Sequence, residues 1–449
     1  MHEGYEVKKY ASRKHIYVQA ASKVTLFSLL VIGLLIAHLI IASRSALVLS
    51  GPIKLEHVDL SVSMPAGNGW QSESQWRYQE NNFCLSSVFI PGSDNLTTMA
   101  NCRYLLAPPT TDPNTQFTQR ASALGGAIEK TGKMQIDKLV VAWAHIAKKP
   151  TLEMFFGTVQ LPNRRHLEIE VFQSAGRAEL AERVFRRILE SLKFKDSPLL
   201  EAGSEIIAEI KSLGLASFLN NQTNESFFLI RDVQNRTIGF SMDIIINTHT
   251  DTLNIQAAGY LYARGLHAQE QVAFFQSNNK FDQFSSKSET SKPGSEFGVE
   301  LAMDKSGLLT VRKLAPETEE KTCRPGPAAL PEALLELFLG KMLESRHEQV
   351  MVDVIKTDGT ITPTIISKIE VDKAAAGESE AVYALKAEFL DGLGFSEQIF
   401  FDNQKQVSKT LLRQREIYTV ERTSAKNIIK EFPERADYIL QKNKLLKKD

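Results

Sequence analysis

Cysteine is scarce in this sequence, and neither sign of charge is in excess. Three cysteines among 449 residues are too few for the disulfide scaffold that stabilises many small secreted domains. Lysine plus arginine and aspartate plus glutamate both number 53, so the formal net charge at pH 7 is zero. A balanced charge gives no overall attraction to nucleic acid or to acidic lipid. We therefore expect no nucleic-acid partner.

Several motifs of catalytic and cofactor sites are also absent. The sequence contains no G-x-S-x-G, H-E-x-x-H, G-x-x-x-x-G-K-[ST] or C-x-x-C. These absences remove the usual signatures of a serine nucleophile, a zinc protease, a phosphate-binding loop and a redox dithiol. We predict that the chain is not an enzyme and that it needs no cofactor or metal. A hydrolase whose residues are assembled from distant positions stays open as an alternative.

One long apolar run is present, from Val24 to Ala42, between Lys23 and Arg44. At ~1.5 Å per residue such a helix covers the ~30 Å of a bilayer interior. We predict a transmembrane signal anchor over residues 24–42. Positive charges are denser before the run than after it, which predicts a cytoplasmic tail over residues 1–23 and an extracytoplasmic bulk. We expect a single-pass protein of the bacterial inner membrane, with a cleaved signal peptide as the alternative.

The region from residue 55 to 195 is predicted to be a small α+β domain. Its first strand alternates apolar and polar residues until Pro65, and its last element is an amphipathic helix with Val184 and Ile188 on one face. A strand that ends in a proline–glycine turn before Trp70, then a meander, then a helix ending at Phe194, resembles the extrinsic photosystem II protein P family. Members of that family are mostly non-catalytic binding or assembly modules. The resemblance therefore implies interaction with a partner.

Two of the cysteines are placed symmetrically in this region. Cys84 and Cys102 are equidistant from Ser93, which lies in a turn signal between two strand-like runs. A symmetric hairpin would place the two residues opposite each other. This predicts a cross-strand disulfide in an oxidising compartment, and two buried thiols are the alternative.

The region from residue 199 to 432 reads as a helix followed by many strands and one apolar helix that starts at Pro331. A curved antiparallel sheet interrupted by an apolar helix resembles the half-barrel of the LolA and LolB lipoprotein carriers. In that family the sheet and its helix enclose a cavity for acyl chains. The resemblance implies a cavity lined by four residues of this helix, Leu335, Phe338, Leu339 and Met342. Residues 433–449 are predicted to form a basic tail.

The sequence thus predicts an α+β protein with an N-terminal transmembrane helix, a small antiparallel-sheet domain and a larger curved half-barrel. The leading functional hypothesis is a membrane-anchored, non-enzymatic binding or envelope-assembly protein with a protein partner. The alternative is a carrier or sensor of a lipid or other apolar ligand held in the C-terminal half-barrel. The two differ in whether the apolar helix packs tightly or leaves a hollow.

Overall fold

The computed structural model describes residues 47–440 apart from 56, 59, 68, 91–96, 109–110, 175, 177, 218–223, 249–251, 264–266, 293–294, 315–317, 373–380, 414–416 and 438. Within these ranges the protein is built mainly from antiparallel β-strands. Two large sheets account for most of them, one in each half of the chain.

The N-terminal half contains an eight-stranded antiparallel sheet, which we call the first sheet, in the order β5-β7-β8-β12-β11-β10-β9 with β6 paired to β7. Two small sheets, β1-β4 and β13-β3-β2, lie beside it. The strands of this half are β1 (Val48–Leu49), β2 (Ile53–Leu55), β3 (Leu60–Val62), β4 (Pro65–Ala66), β5 (Trp70–Ser72), β6 (Arg77–Gln79), β7 (Asn82–Phe89), β8 (Thr98–Leu105), β9 (Ala127–Ile136), β10 (Leu139–Lys148), β11 (Leu152–Gln160), β12 (His166–Ser174) and β13 (Lys193–Phe194).

One helix covers each face of the first sheet. Helix α1 (Pro113–Leu124) packs Phe117 edge-on against Phe156 at 5.8 Å, and α2 (Ala178–Ser191) packs Phe185 against the other face. Helix α1 begins at Pro113 because Asp112 caps its N-terminus, and it ends at Leu124 because Gly125 adopts a left-handed conformation.

The C-terminal half contains a 15-stranded sheet in the order β21-β20-β19-β18-β17-β16-β15-β14-β28-β27-β26-β25-β24-β23-β22, and only the β22–β23 pair is parallel. Its strands are β14 (Asn224–Arg231), β15 (Thr237–Thr248), β16 (Thr252–Ala263), β17 (His267–Asn278), β18 (Phe284–Lys292), β19 (Ser295–Met303), β20 (Leu309–Lys313), β21 (Glu319–Cys323), β22 (Ala329–Pro331), β23 (Gln349–Ile355), β24 (Ile361–Ile369), β25 (Tyr383–Phe389), β26 (Ser396–Phe401), β27 (Val407–Arg413) and β28 (Ile417–Thr423).

This sheet curls until strands near its two ends touch. In the turn between β23 and β24, the carbonyl of Thr357 accepts a hydrogen bond from Ser288 Oγ at 2.8 Å, and its hydroxyl accepts one from Gln271 Nε2 at 3.2 Å. Gly359 in the same turn lies so close to Val311 of β20 that a Cβ would overlap it. Strands β17–β20 are thus in contact with the opposite end of the sheet. We call it the rolled sheet and its concave side the interior.

Two helices accompany the rolled sheet on its β23 side. Helix α3 (Pro198–Leu213) lies against β23 at Gly203, where a Cβ would overlap the carbonyl oxygen of Met351. Helix α4 (Leu335–Glu344), which follows a 3-10 turn (Glu332–Leu334), is joined to α3 by an ion pair of 2.7 Å between Lys341 and Glu209. Apolar residues of both helices are also part of the main hydrophobic core.

The convex side of the rolled sheet is covered over β14–β16. Helix α5 (Ala425–Glu431) packs Ile428 onto Phe227 and Phe240, and Ile439 belongs to the same apolar cluster. Residues 441–449 of the predicted basic tail lie outside the described residues.

The fold class predicted from the sequence is wrong, because the described residues are mostly β-strand rather than α+β with a membrane-spanning helix. The longest helix among them, α3, has 16 residues and several charges, so at ~1.5 Å per residue it is shorter than the ~30 Å of a bilayer interior. No described helix is long and apolar enough to cross a membrane. The signal anchor, the single-pass topology and the inner-membrane location are corrected by this finding. The predicted tail, 1–23, and anchor, 24–42, lie outside the described residues.

Candidate functional site

The apolar side of α4 is packed into the protein core. Phe338, Leu339 and Met342 are 0%, 3% and 0% exposed, and Leu335 is half-buried against the same core. The sequence predicted that these four residues line a ligand cavity. No surface of Phe338 or Met342 is accessible to a water molecule, so the structure places them in the core and leaves no open cavity against them.

The other side of this segment carries two carboxylates. Glu332, in the 3-10 turn, and Glu336, in the first turn of α4, are four residues apart and therefore follow each other along one side of the helical segment. Both side chains are partly exposed, and Glu336 keeps 44% of its surface accessible. Each of them lies near a second carboxylate from the wall of the rolled sheet.

The register of the strands identifies the wall residue near Glu336. Ser288, whose hydroxyl binds the Thr357 carbonyl inside the roll, is paired with Ala273, which is paired with Ala257, which is paired with Asp243. Residues directly opposite each other in neighbouring strands share one face of the sheet. Asp243 on β15 therefore faces the interior.

Asp243, Glu336 and Arg422 form one charged group in the interior. Burial and, to a smaller extent, the nearby Glu336 carboxylate raise the pKa of Asp243 to about 6, against the opposing effect of Arg422. Burial also raises the pKa of Glu336, again with Arg422 acting in the opposite direction. Arg422 Nη2 lies 3.7 Å from Glu336 and 28% of its side chain is exposed. The protein surrounds these groups, but water still reaches part of their surface.

Glu397, Glu332 and Lys356 form a second charged group. Burial and, to a smaller extent, the nearby Glu332 carboxylate raise the pKa of Glu397 to about 7, against the opposing effect of Lys356. Burial raises the pKa of Glu332 as well, although its carboxylate accepts a hydrogen bond of 3.1 Å from the amide of Thr357. The two groups have the same composition: one carboxylate from the helical segment, one from the sheet and one base.

The sequence analysis did not identify these carboxylates. Two signals for them exist in the sequence, however. Asp243 stands alone in a run of apolar residues between Met242 and Ile244, and Glu332 and Glu336 recur one turn apart in a segment that is otherwise strongly apolar. Burying a charged residue lowers stability unless the charge is paired. A charged residue in an apolar stretch therefore indicates an ion pair or a functional site.

The predicted disulfide does not form in the structure. Strand pairing places Cys84 opposite Arg103 and Cys102 opposite Leu85, so the two thiols lie on opposite faces of the first sheet. Both are free, and burial raises the pKa of each. The hairpin is centred half a residue beyond Ser93, and this small offset in register moves one cysteine to the other face.

A further set of charges lies on the first sheet beneath α1. Arg103 and Arg120 each contact both Glu168 and Glu170, at distances of 2.5 to 3.1 Å. The two carboxylates are 5% exposed, and burial raises the pKa of Glu168 against the effect of the two arginines. Because two acids face two bases, this set neutralises itself, and it holds α1 to the sheet.

The described residues contain no group of three or more histidine, cysteine, aspartate or glutamate side chains that could hold a metal ion. Each of the two charged groups in the interior of the rolled sheet instead offers a ligand two carboxylates and one base. Hydrogen bonding and ion pairing are the interactions that such groups provide.

No protein-family model and no curated protein matches the sequence. A β-barrel-like protein of the domain of unknown function DUF1849 from Brucella abortus is similar in structure, with 8% identity over 45% of this chain and 96% of that chain and a TM-score of 0.35. A DUF1089 family protein from Pseudomonas aeruginosa has 11% identity over 37% and 86% of the two chains and a TM-score of 0.23. The tail fibre of Staphylococcus aureus phage P68 has 10% identity over 79% and 70% and a TM-score of 0.10.

Similarities at these scores are too distant to establish a shared fold. The three proteins belong neither to the photosystem II protein P family nor to the LolA and LolB carriers, and both resemblances stay predictions.

Proposed function

We propose that the protein is a non-catalytic binding protein and that the interior of the rolled sheet is its ligand site. The observation that supports this proposal is the contrast between the two sides of α4. Phe338 and Met342 are fully packed, whereas Glu336 on the other side keeps 44% of its surface accessible inside the roll. A concave surface with a few convergent polar groups is the usual form of a small-molecule site.

The interior differs from the acyl-chain cavity that the sequence resemblance implied. The apolar residues predicted to line such a cavity are part of the core, whereas Glu336 of the same helix keeps 44% of its side chain accessible. A ligand with a polar or charged group fits these walls better than a wholly apolar one, because desolvating unpaired carboxylates against hydrocarbon is costly. That the chain binds a protein partner, and that it has no enzymatic activity, both stay predictions.

The experiment uses the full chain and three fluorescent probes that share a dansyl ring and differ in charge: dansylcadaverine, dansylamide and dansylglycine. A bulky substitution inside the roll, Ala257→Trp, places an indole beside Asp243 on the neighbouring strand. The matched control is Ser285→Trp, which adds the same bulk to an exposed position of β18 on the convex side.

We expect at least one probe to bind with one site per chain, Ala257→Trp to abolish that binding, and Ser285→Trp to leave it unchanged. Circular dichroism of both variants checks that they are folded. If none of the probes binds, or if Ala257→Trp binds as tightly as the unmodified chain, the interior is not a ligand site.

A further inference from the structure

Two carboxylates inside the rolled sheet have no partner of their own. Within the described ranges, Asp243 and Glu397 make no hydrogen bond and no ion pair, although burial raises the pKa of both. The carboxylates that they face do have partners. Glu336 lies 3.7 Å from Arg422, and Glu332 accepts a hydrogen bond from the amide of Thr357. An unpaired carboxylate in such surroundings lowers the stability of the folded protein, and a neutral side chain at the same position would not.

The bases nearby do not neutralise them. Arg422 already donates to the carbonyl of Val407 at 2.8 Å and to Gln406 Oε1 at 2.9 Å, and its guanidinium lies 5.6 Å from the ring of Phe228. Among the described residues, this arginine also forms an ion pair with Glu336. Asp243 is therefore left outside the hydrogen bonds that the arginine makes.

The second group is arranged in the same way. Lys356 Nζ lies 5.3 Å from the centre of the Phe389 ring, and it acts on Glu397 through its charge, with no hydrogen bond between the two among the described residues. Each group thus contains two acids and one base that is already engaged. Together they give the interior four carboxylates against two cations, which is an excess of negative charge when all are ionised.

The spacing of the acids limits what could neutralise them. Glu332 and Glu336 are four residues apart, which places the two acid pairs about 6 Å apart along the helical segment. Among the described residues no cluster suits a metal ion, which needs several ligands converging on one point. Two separate carboxylates are better matched by a cation that donates a directional hydrogen bond to each of them. An ammonium group on an organic molecule is such a cation.

We propose that the interior of the rolled sheet binds an organic amine, with an ammonium group held between Asp243 and Glu336 and room for a second nitrogen between Glu397 and Glu332. This inference rests on the proposed function, since it names the class of ligand for the same site. The nitrogen groups of the bound amine supply the hydrogen-bond donors that Asp243 and Glu397 lack among the described residues.

The test compares dansylcadaverine, which carries a primary ammonium group, with dansylamide, which has the same ring and no charge. The variant is the double substitution Asp243→Asn with Glu397→Gln in the full chain. The control is Glu190→Gln with Glu289→Gln, which removes the same charge from two positions that are 57% and 64% exposed. Thermal unfolding of both double variants checks that they are folded.

We expect dansylcadaverine to bind about ten-fold or more tightly than dansylamide, as a charge-assisted hydrogen bond implies. The Asp243 and Glu397 variant loses that advantage, and the control keeps it. Equal affinity for the two probes, or an unchanged preference in the variant, would overturn the proposal of an amine ligand. If both probes bind equally and Ala257→Trp still abolishes binding, the ligand site stands and only its ligand class is wrong.

Discussion

Arg165 and Asp353 form a fully buried ion pair between the two sheets, with Arg165 Nη2 donating to Asp353 Oδ1 at 2.5 Å. Arg165 precedes β12 of the first sheet, whereas Asp353 belongs to β23 of the rolled sheet. Arg165 Nη1 also donates to the hydroxyl of Tyr104 at 2.9 Å. The side chains are 0% and 1% exposed, so neither charge has water as an alternative partner.

The first prediction concerns this pair. Arg165→Met leaves the Asp353 carboxylate buried without its cation and should lower the free energy of unfolding by about 3–5 kcal/mol. The double variant with Asp353→Leu removes both charges and should recover a large part of that loss. Urea denaturation measures both. Arg186→Met, which breaks an exposed pair with Glu182, is the control and should change stability by less than about 0.5 kcal/mol. Equal losses in the single and double variants would contradict the account of the pair.

The second prediction is a pH-dependent gain of stability in Glu397→Gln. The folded pKa of Glu397, about 7, lies above its ordinary value, so the folded protein binds this proton more tightly than the unfolded chain does. Ionising the residue therefore destabilises the protein as the pH rises from about 4 to about 7. The variant should be more stable than the unmodified chain at about pH 8, on the order of 1–3 kcal/mol, and equally stable near pH 4.

Urea denaturation at the two pH values measures this difference. Glu289→Gln, an exposed position on the convex side, serves as the control and should show no dependence of this kind. A Glu397→Gln variant that is less stable than the unmodified chain at about pH 8 would show that the carboxylate is paired and not strained.

The third prediction contrasts two helical glycines. Alanine in place of glycine inside a helix normally stabilises it by about 0.5–1 kcal/mol. Gly340 in α4 has open space where a Cβ would be, and Gly340→Ala should give this gain. At Gly203 in α3, the carbonyl oxygen of Met351 occupies the position that a Cβ would take. Gly203→Ala should therefore lower stability by about 1–3 kcal/mol. Thermal unfolding measures both, and a gain of similar size at both positions would mean that α3 does not lie this close to β23.

The fourth prediction is that all three cysteines are free thiols. Cys84 and Cys102 face opposite sides of the first sheet, and Cys323 has no cysteine partner among the described residues. Protein purified without reductant and then denatured should react with three equivalents of a thiol reagent. In the native state the reaction should be slow, because burial raises the pKa of Cys323 to about 11 and that of Cys102 further still. Titration of a single thiol in denaturant would reveal a disulfide and contradict the register of this hairpin.

Strands with one buried face were predictable from the sequence, whereas exposed strands were not. The alternation in β3 and the helical spacing in α2 led to the correct elements, because each buries one face in the core. Strand β9 was missed because most of its side chains are exposed, so that no periodicity marks it. β21 was missed for the same reason.

The site was hidden from sequence reasoning for a different reason. Which side of β15 becomes the interior depends on the curvature of the whole sheet, and Asp243 meets Glu336 only after β15 and α4 are brought together across the roll. The sequence predicted that the apolar residues of α4 line a cavity, and it could not show that they pack into the core. Local patterns specify burial, and long-range packing decides whether a hollow remains.

The central claim is that ionised carboxylates inside the rolled sheet hold an ammonium group, and the most direct measurement is the affinity of the full chain for dansylcadaverine as a function of pH. The amine stays protonated between about pH 5 and pH 8, whereas Asp243 and Glu397 lose their protons near 6 and 7. Affinity should therefore rise through this range, and the rise should be smaller in the Asp243→Asn, Glu397→Gln double variant, which keeps only Glu336 and Glu332. An affinity that is independent of pH in the unmodified chain, or that falls as the pH rises, would contradict the claim.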